Sequence, residues 1–324
     1  MPIIEPDPWR EQYFAGHACP EGVVVPTDDP DCWALYPKHR WVYDKLMVAA
    51  SQNLAAGPHG TMPPAFPVFS KPIVNLKGMG AGSRIVRTRN EYVHSLAPGH
   101  MWMPLLTGAH VSTDAALVGG RARWWRHAIG DARAGGTFDH WKVEAKSRLR
   151  LEARLGAWAA RNLRGYTGIA NIETIGGVII EVHLRLTDQW PDLYGPGWVD
   201  AVVALYAEGR WRFKERSRRD GFSVVLFGPH GKKYAHPRGP DVEAVRAMQG
   251  VSSVQITFDP RKPPHAHSMP PGGFRLAVVN AWSLAAGRRA RARLAAAILS
   301  FPRKRESRFF KSMDPRLRGG DDSY

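Results

Sequence analysis

The stretch Val178-Ile179-Ile180-Glu181-Val182-His183-Leu184-Arg185 alternates without a break between two sets of side chains. Side chains of a strand project to opposite faces with a period of two, so Val178, Ile180, Val182 and Leu184 read as one face. Ile179, Glu181, His183 and Arg185 read as the other. The first set suits a core. The second puts a carboxylate, an imidazole and a guanidinium in one row, groups able to hold a metal ion with a polyphosphate beside it. Upstream, Asn171-Ile172-Glu173-Thr174-Ile175 runs into Gly176-Gly177, so the two segments read as a β-hairpin. Register then decides the chemistry. A two-residue loop at Gly176-Gly177 sets Glu173 opposite Ile180, on the apolar face. A three-residue loop over 175–177 sets it opposite Ile179, with Glu181 and His183. A slip of one residue exchanges the faces, so a shared site is expected to need the odd-length loop. The plain alternative is an ordinary solvated strand face.

The 324-residue chain, 44% hydrophobic, is long enough for one large core or two smaller ones. No run of about 18 apolar residues offers a membrane span. The first eight residues carry prolines and acids, unlike a signal peptide. Cys19 and Cys32, the only cysteines, are too few for a disulfide framework and are expected to be reduced. A cytoplasmic protein is the expectation. The formal charge is +16, of which residues 288–324, with 11 Lys or Arg against 4 acids, supply +7. A basic balance serves nucleic acid, phosphates or carboxylate metabolites alike and does not choose among them.

Residues 1–35 read as loop with a short strand around 22–26. A helical pattern covers 36–50. A strand over 66–74 follows, then the glycine-rich loop 77–83 and a strand over 84–88. Residues 119–130 read as a turn and a strand with one buried Trp face, exposing Arg123 or Arg126. The spacing of Leu151, Leu155, Trp158, Ala159 and Leu163 predicts an amphipathic helix over 152–163. Helices over 198–208 and 284–299 and strands over 224–227, 251–258 and 274–280 complete a second α/β lobe. His265-Ala266-His267 has the spacing of a two-His metal site, but flanking prolines favour a loop. Residues 300–322 look like translated intergenic repeats, without a packable apolar pattern.

Residues 170–185 resemble the metal-binding hairpin of the ATP-grasp superfamily, whose last strand typically reads Glu-x-Asn-x-Arg. The resemblance implies that Glu173 and Glu181 are metal ligands, with His183 standing where the family has Asn. It implies that Arg185 faces the transferred phosphoryl group as the catalytic arginine. Imidazole suits manganese better than magnesium, which prefers oxygen ligands. Asp44-Lys45-Leu46 and Ser70-Lys71-Pro72 are similar to two nucleotide-binding motifs of the family and imply phosphate contacts from Lys45 and Lys71. Gly78, Gly80, Gly82 and Ser83 correspond to the mobile flap over the phosphates, where unhindered amides suit an anion. A Walker A loop and a Rossmann fingerprint both fit this loop less well. Residues 100–108 resemble the strand and crossover that sandwich adenine, with Met103 and Leu105 at its edge. In residues 108–114, His110 replaces the family's Glu, and Asp114 is retained as a nucleotide contact.

The resemblance implies an α/β fold of the α+β type, with two subdomains sandwiching the nucleotide. An abbreviated segment over 1–35 precedes subdomains over 36–100 and 101–285, and a basic helix and tail occupy 286–324. It implies ATP with Mg2+ or Mn2+, a small-molecule carboxylate activated as an acyl phosphate, and an amine or thiol acceptor. A homodimer mate or another chain would complete the substrate site if the short N-terminal segment does not. Two other readings remain: an ATP-binding protein without ligase activity, and a basic nucleic-acid-binding module resting on charge and Trp-Arg interleaving alone.

Overall fold

The alternating segments build two antiparallel sheets. The computed structural model describes residues 8–76, 80–216, 218–262, 267 and 270–299. Two short helices open the chain, α1 (Pro8–Glu11) and α2 (Asp29–Leu35); the strand expected over 22–26 is absent. The helix expected over 36–50 is a 3-10 turn at Arg40–Tyr43 followed by α3 (Lys45–Ala50). Asp44 divides them, because its carboxylate accepts hydrogen bonds from the Leu46 and Met47 amides and starts a new helix there.

A small sheet follows, from β1 (Gly57–Pro58), β2 (Val68–Pro72), β3 (Arg84–Val86) and, after α4 (Arg89–His94), β4 (His100–Pro104), in the order β1-β4-β2-β3. Residues 101–104, expected to open the second subdomain, pair with β2 in this small sheet as part of β4. The large sheet comprises β5 (His110–Val118), β6 (Arg121–Ala132), β7 (Phe138–Val143), β8 (Gly168–Ile175), β9 (Val178–His183), β10 (Gly221–Gly228), β11 (Val251–Ile256) and β12 (Phe274–Ala281). Their order is β11-β12-β10-β7-β6-β5-β8-β9. Between strands run α5 (Leu149–Asn162), α6 (Trp198–Glu208) and α7 (Gly239–Arg246), and α8 (Leu284–Leu299) closes the described chain.

Each face of the large sheet has its own core. On one, Leu155, Trp158, Ala159 and Leu163 follow the helical spacing of α5 and pack on Ala115, Leu117, Ala170 and Ile172. Each fully buried Leu or Ile contributes about 1.5–3 kcal/mol. On the other, Trp198, Val199 and Val202 of α6 pack with Trp124, Ala128 and Val143. Of Arg123 and Arg126, between which the sequence leaves the expected exposure open, Arg123 is exposed, whereas Arg126 shares that covered face and is 1% accessible, with its guanidinium on Glu215 and the Arg219 carbonyl. Ala290, Leu294 and Ile298 bury α8 against β12, so this basic helix belongs to the second lobe rather than to the tail. His265, Ala266 and residues 300–324 lie outside the described residues.

The hairpin solves its register differently from the expectation. Gly176 and Gly177, with φ of 57° and 83°, form a two-residue turn in the left-handed region. Thr174 pairs with Ile179, but Glu173 pairs with Glu181, because a bulge at Ile179-Ile180 inserts one residue into β9. Ile179 therefore turns into the α5 core and Ile180 out of it. The even-length loop and the bulge together put Glu173, Glu181 and His183 on one face.

The bulged backbone is held from outside the sheet. The Gln52 side chain receives the Ile179 amide at 3.0 Å and donates to the Ile179 carbonyl at 2.6 Å, covering the edge strand there. Gln52→Ala strands both groups and is expected to cost about 1–3 kcal/mol. The urea midpoint should fall with an unchanged slope; an unchanged midpoint would show that the bulge needs no such clamp.

Candidate functional site

Register places three rows of polar side chains on the α6-side face. His110 of β5 and Trp141 of β7 stand on either side of Gly130, since Val111 pairs with Ile129 and Gly130 with Trp141. The next row runs Glu181, Glu173, Ser112, and the third His183, Asn171, Asp114, Arg126. The first two rows, with His183 and Asn171, face a cavity of about 900 Å³ that is bounded on its far side by α3, β2 and residues 80–85. Lys45, Lys71, Gly80, Ser83, Glu173, Glu181, His183 and Arg185 all line it.

The cations and acids interlock. Lys45 Nζ lies 2.9 Å from Glu181 Oε1, and Lys71 Nζ donates to the Ile180 carbonyl at 2.7 Å. Burial lowers the Lys71 pKa to about 8, against the opposing pull of Glu181. His110 Nε2 lies 2.9 Å from Glu173 Oε2. Burial alone would raise the Glu173 pKa, but the His110 hydrogen bond and charge, then His183 and Arg185, bring it below the ordinary range. Seven Lys or Arg residues line the cavity against five Asp or Glu, a surplus suited to a polyanion.

The N-terminal segment supplies a residue that sequence reasoning missed. Asp29 opens α2, and its carboxylate receives His183 Nδ1 at 2.9 Å and Arg185 Nη2 at 3.1 Å. Asp29 is 3% exposed. Burial opposes its charge, yet Arg185 and His183 hold its carboxyl well below the ordinary range. Burial likewise disfavours charge on His183, but Asp29 outweighs it and raises the imidazole pKa. The sequence did signal a helix start at Asp28-Asp29-Pro30, with Asp28 as cap. It held no signal for contact with a strand some 150 residues away.

Other candidates sit elsewhere. Asp114 is 1% exposed, and its oxygens accept from Asn171, from Thr187 and from the Tyr194 hydroxyl. It is a buried hub that fastens residues 187–194 to the sheet, and it does not line the cavity where a nucleotide contact was expected. Burial raises its pKa in spite of these donors. Asn171 was legible by spacing, two residues before Glu173. Met103 is buried in a cluster with Leu46, Phe69 and Ile180, and neither it nor Leu105 lines the cavity. Gly82 is also outside the lining, with Pro72 and His100 3.3 Å from where its Cβ would be. Gly78 lies outside the described residues. Glu173, Glu181 and His183 share the cavity but do not converge as three ligands. Glu181 Oε1 is 4.0 Å from His183 Nε2. Among the described residues only Asp131, Asp139 and His140 bring three such atoms together, and Arg288 and Arg291 already bind Asp139.

This arrangement of a small sheet beside a large antiparallel sheet has counterparts among solved structures. The L-amino acid ligase from Bacillus licheniformis superposes with a TM-score of 0.58 at 14% identity, over 80% of this chain and 71% of that one. The chain has the ATP-grasp fold. The N5-carboxyaminoimidazole ribonucleotide synthetase from Thermus thermophilus gives 0.55 at 16%, over 90% and 79% of the two chains. The carboxyaminoimidazole ribonucleotide synthase from Aspergillus clavatus, complexed with ATP, gives 0.54 at 10%, over 79% and 72%. No protein-family model and no curated protein matches the sequence.

The ATP-grasp fold implies a nucleotide and a divalent metal, and the cavity holds residue types suited to both, although Glu173, Glu181 and His183 do not meet at one point. Lys45 and Lys71 offer charge to phosphates, and for Lys71 an arriving anion would offset the cost of burial. Glu173 and Glu181 are cross-strand neighbours. His183 has its Nδ1 on Asp29 and its Nε2 toward Glu181, the arrangement in which an outer carboxylate orients a ligating imidazole. Asp29→Ala removes the carboxylate shared by His183 and Arg185 and is expected to destabilise the fold by about 3 kcal/mol, measured by chemical denaturation. A change below about 0.5 kcal/mol would show that the pair holds no structure together.

Proposed function

We propose that this chain is an ATP- and metal-dependent ligase that activates a small-molecule carboxylate as an acyl phosphate and transfers the acyl group to an amine or thiol. The observation that carries the reading is the meeting, in one cavity, of Lys45, Lys71, Glu173, Glu181, His183 and Arg185 from three separate segments of the chain. The names of the solved structures with this fold, ligases and synthetases, one holding ATP, support it. The nucleotide would lie between the small-sheet lobe and the large-sheet lobe. A carboxylate oxygen attacks the γ-phosphorus as the bond to the leaving ADP breaks. The amine or thiol then attacks the acyl carbon and phosphate departs.

Such chemistry asks for positioning and charge neutralisation rather than a covalent nucleophile. Lys45 and Lys71 hold the phosphates, Arg185 neutralises the transferred group, and Asp29 keeps Arg185 and His183 in place. Glu173, Glu181 and His183 would hold the metal, which when bound offsets charge on the phosphate oxygens. A second reading, ATP binding without ligation, is favoured by one observation: Lys45 and His110 already occupy the two acids.

Phosphate release from ATP across a panel of amino and hydroxy acids, with hydroxylamine as trap, separates the two. Hydroxamate formation establishes ligase chemistry, whereas ATP binding without hydroxamate leaves only the second reading. Lys71→Ala is expected to weaken ATP binding by about 1–3 kcal/mol by calorimetry; unchanged affinity in a folded variant would remove Lys71 from the phosphate site. His183 should make manganese the better metal, and His183→Asn should move the preference toward magnesium. Equal preference in both proteins would mean that His183 is not a ligand.

A further inference from the structure

The cavity has a second end that the phosphate chemistry does not use. On the β7 and β10 side four rings, Phe138, Trp141, Trp190 and Phe227, line it together beside Arg133 and Arg275. Phe138 and Trp141 have ring centroids 4.4 Å apart, and Trp141 and Trp190 5.5 Å. Their assembly depends on Gly130. That position lies directly between His110 and Trp141 across the sheet, and a Cβ there would meet the Phe138 ring at 2.6 Å and Trp141 at 3.1 Å. With no side chain at this point, the rings close over the strand.

The aromatic end adjoins the charged end without a gap. His110 contacts Phe138 and Trp141 edge-on at 5.4 and 5.2 Å, and the same imidazole holds Glu173. An occupant whose carboxylate meets the cations of the charged end would therefore place the rest of its body against rings. Phe138 and Phe227 are only half-buried, so removing their remaining apolar surface from water favours such an occupant. Arg275, paired with Phe227 across the sheet, is itself engaged by Asp188, so the rings are the surface that an apolar body would cover.

Resting on the ligase reading above, we propose that the carboxylate substrate carries an apolar, preferentially aromatic, body seated on the wall of Phe138, Trp141, Trp190 and Phe227. The test compares phenylalanine and 3-phenylpropionate with alanine and aspartate on the full chain. Equilibrium binding is measured with a non-hydrolysable ATP analogue and manganese, and hydroxamate formation with ATP and hydroxylamine. The aromatic acids are expected to bind at least 10-fold more tightly. Phe227→Ala should cut that ratio several-fold while ATP affinity holds. Phe138→Ala serves as a second variant should the first not fold. Aspartate or alanine binding as well as the aromatic acids, or no carboxylate binding at all, overturns the inference. Aromatic preference in binding without hydroxamate from any acid supports this pocket and overturns the ligase reading instead.

Discussion

The bulge at Ile179-Ile180 is the constraint on which the rest of the site depends. Without it, the two-residue Gly176-Gly177 turn would send Glu173 toward Ile180 and separate it from Glu181 and His183. With it, Ile179 enters the α5 core, and the two acids stand opposite one another. The extra residue costs ladder hydrogen bonds, and neighbouring elements replace them. Gln52 satisfies both backbone groups of Ile179, and Lys71 takes the carbonyl of Ile180. The small-sheet lobe is thereby tied to the hairpin through the very lysine that faces the cavity. Gly176 tightens the junction further, because a Cβ there would lie 2.5 Å from the Thr107 carbonyl oxygen.

Charge in the cavity is organised in pairs that share members. Glu181 meets Lys45, Glu173 meets His110, and Asp29 meets both His183 and Arg185. Both positions where histidine departs from the expected family pattern thus have a carboxylate partner. Buried charges persist only when paired in this way. Asp114 shows the other solution, a carboxylate surrounded by hydroxyl and amide donors and withdrawn from the cavity.

Periodic segments were legible in the sequence, and contacts between distant segments were not. The spacing in α5 and the α6 span follow from period alone, as does the hairpin of β8 and β9, whereas β5 and β7 gave no such signal. The pattern over 36–50 misled because Asp44 is polar at a position where a helix tolerates it, and only its cap bonds show the break. The run Arg123-Trp124-Trp125-Arg126 leaves open which arginine faces solvent; α6, Trp211 and Phe213 cover the face that holds Arg126, and Glu215 is its partner.

The sequence by itself determined the hairpin, the amphipathic helices and which cationic, acidic and imidazole groups are available, because these depend on local spacing and residue chemistry. Tertiary structure decided which of them share a cavity. Asp29, Gln52 and Gly130 act on partners brought near by the fold, so no local pattern marks them. The bulge belongs to the same class: one residue added to a strand leaves no trace in hydrophobic alternation, yet it exchanges faces, and only packing against α3, β2 and α5 selects which face wins.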